Sequence, residues 1–456
     1  MKTIAAIATP PGQGGISIIR IAGDDALIIA DRIFQPIKNN IKPSQKEHGT
    51  FLYGHVINPK QQSQIVDEAI LLIYRAPNSY TREETVEIQG HGGMVCAERI
   101  LQTALENGAE PAAPGEFTKR AFLNGRIDLV QAEAVMDLIN ADSRKAANAA
   151  MEQLDGHLSE DFNKVYDDLM DVATNIEATF DFVEHELPDS VMQGIIQSVE
   201  LVKKETKALI DTWNEGHLLR DGVLLVISGK PNAGKSTLFN KMLGFERAIV
   251  TDVAGTTRDT IEEKIIISGI SFRLVDTAGI RESDCHIEKE GVSRALNIIE
   301  RADINIYIAD ISSEVTIETK EHIESLPKDK SIVILNKIDK ESKFDTSILE
   351  GFTVIKTSLQ GKVNLTDLST AIIQMLGINP NSQPHAVISS RHKNILQSIY
   401  QLIDEAEELV RLEDESQLIF AAGQLREAIE LAGEITGKTY HKSLLDNIFS
   451  RFCIGK

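Results

Sequence analysis

A chain of 456 residues with 42% hydrophobic and 25% charged positions is too apolar to be disordered and long enough for roughly three domains of about 150 residues each. Its 47 Lys and Arg face 68 Asp and Glu, a formal net charge of −21, which argues against a basic nucleic-acid groove running along the whole protein. No run of eighteen uncharged apolar residues offers a membrane span, Pro10-Pro11 interrupts any signal-peptide core, and the isolated Cys96, Cys285 and Cys453 lack disulfide or zinc spacing, so a cytoplasmic protein is expected.

Residues 1–121 combine apolar runs such as GISIIRI (15–21) and EAILLIY (68–74) with turn-rich connectors and a helix predicted from Met94 to Asn107, the grammar of a small α+β domain. With 12 positive and 13 negative groups this segment is nearly neutral. Residues 122–221 read as helical. Leu154, Leu158, Phe162, Val165, Leu169, Val172, Ile176, Phe180 and Val183 recur three or four apart, which predicts one apolar stripe on one long helix. Glu160, Asp161, Asp167, Asp168, Asp171 and Glu177 fill its other faces as a solvated surface. The acidity is therefore regional, because residues 126–221 carry 8 positive and 21 negative groups.

Between residues 222 and 378 short β-branched runs alternate with helical segments: VLLVIS (223–228), KIIIS (264–268), FRLVD (272–276), INIYIAD (304–310), SIVILN (331–336) and FTVIKTS (352–358). This is the alternation of an α/β domain. The helical period resumes in residues 379–456, with Ile395, Ile399, Leu402, Ala406 and Leu409. The expected architecture is multidomain: an N-terminal α+β domain, an α-helical bundle in two parts (122–221 and 379–456), and an α/β P-loop domain inserted between them.

The run VLLVIS leads into Gly229-Lys230-Pro231-Asn232-Ala233-Gly234-Lys235-Ser236 and then into helix-like TLFNKMLG, the G-x-x-x-x-G-K-[ST] phosphate loop in its strand–loop–helix context. Backbone N–H groups and the helix dipole face the β-phosphate, Lys235 bridges the β- and γ-phosphates, and Ser236 ligates Mg²⁺. Asp276-Thr277-Ala278-Gly279 ends a later strand, where the carboxylate reaches a Mg²⁺ water and the Gly279 N–H senses the γ-phosphate. Asn336-Lys337-Ile338-Asp339 ends another. Asp339 accepts from guanine N1–H and the 2-amino group, and adenine would leave it unpaired, so the base is guanine. Ser358 follows the next strand and completes the set. Gly433-Glu434-Ile435-Thr436-Gly437-Lys438-Thr439 only mimics a phosphate loop, since three residues separate its glycines and no strand precedes it.

In many small GTPases a residue just after the aspartate–glycine turn orients the attacking water, but here Ile280 follows Gly279 and an aliphatic chain cannot polarise water. Two features offer substitutes: the Asn232 amide oxygen as ligand to a monovalent cation, and the loop AIVTDVAGTTRDT (248–260), in which Thr257 reaches Mg²⁺. Asn232 reads equally well as a turn residue.

Beyond these, TIAAIATPPGQGGISIIRIAG near the start, EIQGHGG (87–93), PGEFTKRAFLNGRIDLVQAEAV (114–135), GTTRD (255–259) and the terminal DNIFSRFCIGK (446–456) span three domains. Together they make the chain resemble, end to end, the bacterial and organellar tRNA modification GTPase family MnmE/TrmE. The resemblance implies a homodimer that acts with the flavoprotein MnmG (GidA), in a heterotetramer or larger complex, to add an aminomethyl or carboxymethylaminomethyl group at C5 of the wobble uridine of certain tRNAs. It implies GTP hydrolysis stimulated by K⁺ through dimerisation of the GTPase domains, and an N-terminal domain that dimerises and binds 5-formyltetrahydrofolate or a related one-carbon tetrahydrofolate.

Residue by residue, the resemblance assigns GTP binding to Asn232, Ala233, Gly234, Lys235, Ser236 and Thr237, to Thr251, Asp252, Val253, Ala254, Gly255, Thr256 and Thr257, to Asp276, Thr277, Ala278 and Gly279, to Asn336, Lys337, Ile338 and Asp339, and to Ser358, Leu359 and Gln360. K⁺ falls to Asn232, Thr251, Val253 and Thr256, and Mg²⁺ to Ser236 and Thr257. Glu288 matches the residue that organises the attacking water and joins Lys235 and Cys453 as catalytic candidates; folate falls to Arg20, Glu87, Arg126 and Lys456. Arg126 stands where many relatives have Lys, which keeps the charge and changes the donor geometry. The rival expectation is a GTP-dependent switch in ribosome or RNA assembly without covalent chemistry. It calls for a basic RNA-binding domain, which the nearly neutral N-terminal segment does not supply.

Overall fold

The computed structural model describes residues 2–38, 41–180, 189–245, 262–276, 298–361, 365–378, 388–412 and 415–456. The chain divides into two compact units, one of Met1–Met136, Ser159–Asp171 and Arg426–Lys456, the other of Asp137–Leu158 and Val172–Leu425.

The first unit is built on a seven-stranded sheet of β1 (Ile4–Ile7), β2 (Ile16–Ala22), β3 (Phe34–Pro36), β4 (Thr50–Asn58), β5 (Gln64–Tyr74), β6 (Thr85–His91) and β7 (Glu110–Pro111), in the order β3-β4-β5-β6-β2-β1-β7. Period-two alternation sends Ile19, Ile21, Leu71, Ile73, Val86 and Ile88 into a core with the helices Ala26–Ile33 and Met94–Glu106. Each such aliphatic side chain, fully buried, contributes about 1.5–3 kcal/mol. The same alternation puts Arg20 and Glu87 on the opposite face, directly paired in the antiparallel β2–β6 register.

The long acidic helix is in fact two. Arg144–Asp155 ends on Gly156, whose φ of +102° lies in the left-handed region, and His157–Thr179 begins there. Leu154 belongs to the first helix and is half-buried, whereas Leu158, Phe162, Val165, Leu169, Val172 and Ile176 form the buried stripe of the second. The four-residue step from Leu154 to Leu158 hides the break, since apolar spacing says nothing about one φ angle between them. Val183 lies outside the described residues.

In the helix Ser390–Val410 the buried stripe is His392, Leu396, Ile399, Ile403, Ala406 and Val410, while the expected Ile395, Leu402 and Leu409 are half-buried at its margin. This helix packs along Asp189–Asp211, where Lys203 donates to Glu407 at 2.7 Å and to Asp404.

The second unit holds a six-stranded sheet of β8 (Val223–Gly229), β9 (Glu262–Ile267), β10 (Ile270–Asp276), β11 (Ile304–Asp310), β12 (Ser331–Asn336) and β13 (Thr353–Thr357), ordered β13-β12-β11-β8-β10-β9. All neighbours are parallel except β9 with β10, whose hairpin turns on Ser268 and Gly269, both at positive φ. Every residue of β12 is buried, the pattern of a strand covered on both faces. From β8 the order runs one way to β10 and β9 and the other way to β11, β12 and β13, so the C-terminal end of β8 is a topological switch point, where α/β sheets receive ligands. The expected fold class, α+β, helical and inserted α/β P-loop, is the one found. Among the described residues no helix is long and apolar enough to cross a membrane.

Candidate functional site

At that switch point β8 leads through residues 230–234 into the helix Lys235–Phe245. Gly229 and Gly234 have φ of +141° and +116°, and an added Cβ would lie 2.3 Å from the Ile308 carbonyl oxygen and 2.4 Å from Asn336 Nδ2, so close approach as well as conformation requires glycine. Asn232, at φ +61°, is a non-glycine residue in the left-handed region, with its side chain exposed. The Lys235 side chain is buried and its ammonium donates to the carbonyls of Gly229 (3.0 Å) and Lys230 (2.8 Å), spanning the loop whose phosphates it would neutralise. Ser236 and Thr237 are exposed in the first helical turn.

Asn336, at the end of β12, is buried and its side chain makes three hydrogen bonds. Its amide nitrogen donates to the Ala233 carbonyl at 2.7 Å, and its Oδ1 accepts from Lys337 N at 2.8 Å and Leu359 N at 2.9 Å. One side chain thus ties the phosphate loop to both expected base loops. Lys337 donates to the Asn232 carbonyl at 2.9 Å and to Asp310 Oδ2 at 2.5 Å.

Asp339 is exposed, and the Ser358 hydroxyl donates to its Oδ1; this hydrogen bond foremost holds the carboxyl below the ordinary aspartate range, so it is an ionised acceptor at neutral pH. Ile338 and Gln360 are also exposed, while Leu359 is buried. Leu359, expected among the GTP-binding residues, donates its backbone N–H to Asn336 Oδ1, and its side chain packs in the sheet's core. Sequence reasoning missed Asp310, because an aspartate at a strand end carries no motif of its own. Thr251, Asp252, Val253, Ala254, Gly255, Thr256, Thr257, Thr277, Ala278, Gly279 and Glu288 lie outside the described residues, as does the side chain of Asp276.

The first unit carries a second constellation. A cleft of about 580 Å³ is lined by Arg20, Tyr74, Pro77, Asn78, Ser79, Tyr80, Arg82, Thr85, Glu87 and Arg126. Arg20 Nε donates to Glu87 Oε1 at 2.8 Å with both side chains about 15% exposed, so this pair is mostly desolvated. The Tyr80 ring lies 5.3 Å from the Arg20 guanidinium and 4.7 Å from that of Arg126, which also donates to the Tyr80 carbonyl at 3.1 Å. Lys456 sits close enough that, after burial, the positive charge of Arg20 is the main influence lowering its pKa, with Glu87 acting the other way. Three of the four expected folate residues therefore line one cleft and the fourth feels two of them. Tyr80 and Arg82 gave no sequence signal, since an isolated aromatic and an isolated cation look like ordinary surface.

The terminus is held by its backbone. Phe117 N donates to Lys456 O at 3.2 Å, Lys456 N to Cys453 O at 3.4 Å, and Gly115 N to Cys453 O at 3.4 Å. Gly455, at φ +97°, passes so close to β1 that a Cβ would fall 2.2 Å from the Ile7 carbonyl oxygen. Cys453 itself is exposed, Cys96 is half-buried, and Cys285 lies outside the described residues. The Gly433–Thr439 stretch is a helix end: Gly437, at φ +84°, donates its N–H to the Gly433 carbonyl at 2.9 Å. No group of three His, Cys, Asp or Glu placed to hold a metal occurs among the described residues.

Residues 3–126 match the GTP-binding protein TrmE N-terminus and residues 129–453 the MnmE helical domain. The tRNA modification GTPase MnmE of Alkaliphilus oremlandii is 41% identical over 460 residues, covering 100% of this chain and 99% of that protein. Its namesake from Bacillus subtilis is 40% identical over 463 residues, covering 100% of both. Among solved structures, the G domain of the T. maritima FeoB iron transporter is 26% identical, covering 34% of this chain and 98% of that one, at a TM-score of 0.25 too low to carry an argument. With both ends and the intervening length accounted for by the same relatives, the chain belongs to the MnmE/TrmE family of tRNA modification GTPases.

Proposed function

We propose that the protein hydrolyses GTP and couples that hydrolysis to modification of the wobble uridine of certain tRNAs, acting in the cytoplasm as a homodimer with the flavoprotein MnmG. The observation that carries the reading is Asn336, whose three hydrogen bonds bind a phosphate loop to two base loops at the switch point of a parallel sheet. The guanine edge would meet the ionised Asp339, which Ser358 orients, and the phosphates would meet Lys235 and the amino end of its helix.

Mg²⁺ suits the Ser236 hydroxyl, exposed in the first helical turn, with Thr257 as its expected second ligand; it would neutralise charge on the β- and γ-phosphates. K⁺ suits the exposed amide of Asn232, with Thr251, Val253 and Thr256 as further expected oxygen ligands. Glu288 is proposed to orient the attacking water.

The cleft of Arg20, Glu87 and Arg126, with Lys456 beside it, suits a one-carbon tetrahydrofolate. Its cations match the glutamate carboxylates, the partly buried Glu87 matches the amino and ring N–H groups of a pterin, and the Tyr80 ring offers a stacking face. The exposed Cys453, three residues before Lys456 and with its carbonyl accepting from Gly115 N, is proposed as a reactive thiol of the modification step.

The deciding measurement is wobble-uridine modification in a strain whose only copy is this protein, with and without Cys453–Lys456. Complete chain should restore the modified nucleoside and the truncated one should not; normal modification when the protein is absent altogether overturns the reading. For the cation, GTP turnover should rise in KCl over NaCl and Asn232→Ala should remove the gain. Equal rates in the two salts would discard K⁺.

A further inference from the structure

The end of β11 holds a carboxylate that neither the motifs nor the proposed chemistry uses. Asp310 is the strand's last residue, in register with Asn336 of β12, so it sits at the same edge of the sheet as the phosphate loop. Its Oδ1 accepts from the Ser312 backbone N–H (2.9 Å) and hydroxyl (2.6 Å), which leaves Oδ2 for the Lys337 ammonium at 2.5 Å. The pair is largely shielded, with side chains 16% and 24% exposed. Although burial works against the charge, the bonds from Lys337 and Ser312 outweigh it and hold the carboxyl below the ordinary aspartate range.

The same ammonium donates to the Asn232 carbonyl at 2.9 Å. It therefore bridges Asp310 to Asn232, and both Lys337, at φ +66°, and Asn232, at φ +61°, stand in a region that L side chains seldom occupy. A lysine ammonium on a four-carbon stem has many places to be, and a fixed anion on its far side selects one of them. Without that anion the Lys337 ammonium that donates to Asn232 loses its far anchor, whereas the Asn336 bond to Ala233 is untouched.

We propose that Asp310 is a positioning residue for the guanine nucleotide: its carboxylate fixes Lys337, and Lys337 fixes the phosphate-loop turn at Asn232. This deepens the proposed function and rests on the reading of these loops as a GTP site.

The experiment uses the full-length protein and the dissociation rate of a fluorescent GDP analogue. Asp310→Asn keeps the size and the contact with Ser312 and removes the charge; it should release GDP about tenfold faster, while Asp310→Glu restores part of the loss. The decisive arm is a double-mutant cycle with Lys337→Gln. If Asp310 acts through Lys337, Asp310→Asn changes nothing further in the Lys337→Gln background. Additive effects, or a release rate in Asp310→Asn equal to that of the parent, overturn the inference. An Asp310→Asn protein that melts at the parent's temperature yet releases GDP faster separates positioning from general destabilisation; a matching fall in Tm and unchanged release count against it. Failure of the parent itself to bind GDP would strike the GTP reading instead, so the two are told apart.

Discussion

The two constellations are assembled in opposite ways. In the α/β sheet the candidate groups stand at the carboxyl ends of parallel strands, and the loops there are joined by hydrogen bonds from Asn336 to Ala233 and from Lys337 to Asn232 and Asp310. In the N-terminal sheet they stand on the face of antiparallel strands, and what they offer is side-chain charge: Arg20 against Glu87, with Arg126 flanking Tyr80. A backbone site needs particular residues at fixed sequence spacing, because the loop has to turn in one way. A side-chain site needs only that its residues meet, and its sequence spacing is set by strand register and connection length.

The comparison is broken most directly at the base. Asp339→Asn exchanges an acceptor for a donor where guanine presents two N–H groups, so GTP affinity should fall on the order of 10²–10³-fold and xanthosine triphosphate should gain. Equal binding of both nucleotides by the parent would remove Asp339 from the base contact. Next in size, Lys235→Ala should lower kcat/KM for GTP roughly 10²-fold by deleting charge at the phosphates, with the circular dichroism spectrum unchanged. Parent-like hydrolysis would show that the phosphates lie elsewhere.

A smaller effect is expected in the other sheet. Glu87→Gln neutralises one half of a desolvated pair and leaves Arg20 without its counter-charge, so calorimetry should give about tenfold weaker binding of 5-formyltetrahydrofolate. The affinity should also fall with added salt more steeply than GDP affinity does, because the cleft relies on side-chain charge; equal salt slopes would dissolve the distinction between the two sites.

The smallest effect lies outside both sites. Lys203 foremost, against the opposing pull of burial and with help from Arg411, holds the Glu407 carboxyl below its ordinary value of 4.5. A depressed carboxyl pKa stabilises the fold above that value and the contribution is lost as pH falls below it. Lys203→Met should therefore cost at most about 1 kcal/mol at neutral pH and progressively less as the pH falls below 4.5, read from thermal melts, while GDP release stays at the parent's rate.

How much was legible follows the same division. The strands β8, β11 and β12 could be placed to within a residue, since buried parallel strands are near-continuous apolar runs bounded by turns. The helix break at Gly156 was not, because a four-residue step between leucines looks the same with or without a left-handed residue inside it. The margin of the stripe on Ser390–Val410 was misjudged by one position, because which apolar neighbour is buried depends on the helix packed against it. Arg20 and Glu87 entered only through resemblance to a family; 67 residues apart, they carry no local sign that they would be partners.

The net charge of −21 first argued against nucleic acid, yet its concentration in residues 126–221 confines that argument to one helical region. By itself the sequence determined the order of elements, the phosphate and base motifs and, through full-length likeness, the family, because each is written in contiguous residues whose chemistry is local. Only the tertiary structure decided that Asn336 would spend its amide on Ala233 and Leu359, that Asp310 would meet Lys337, and that Arg20, Glu87 and Arg126 would share one cleft. Those meetings depend on strand order and register, which are set by burial summed over a whole sheet and not by any short stretch of chain.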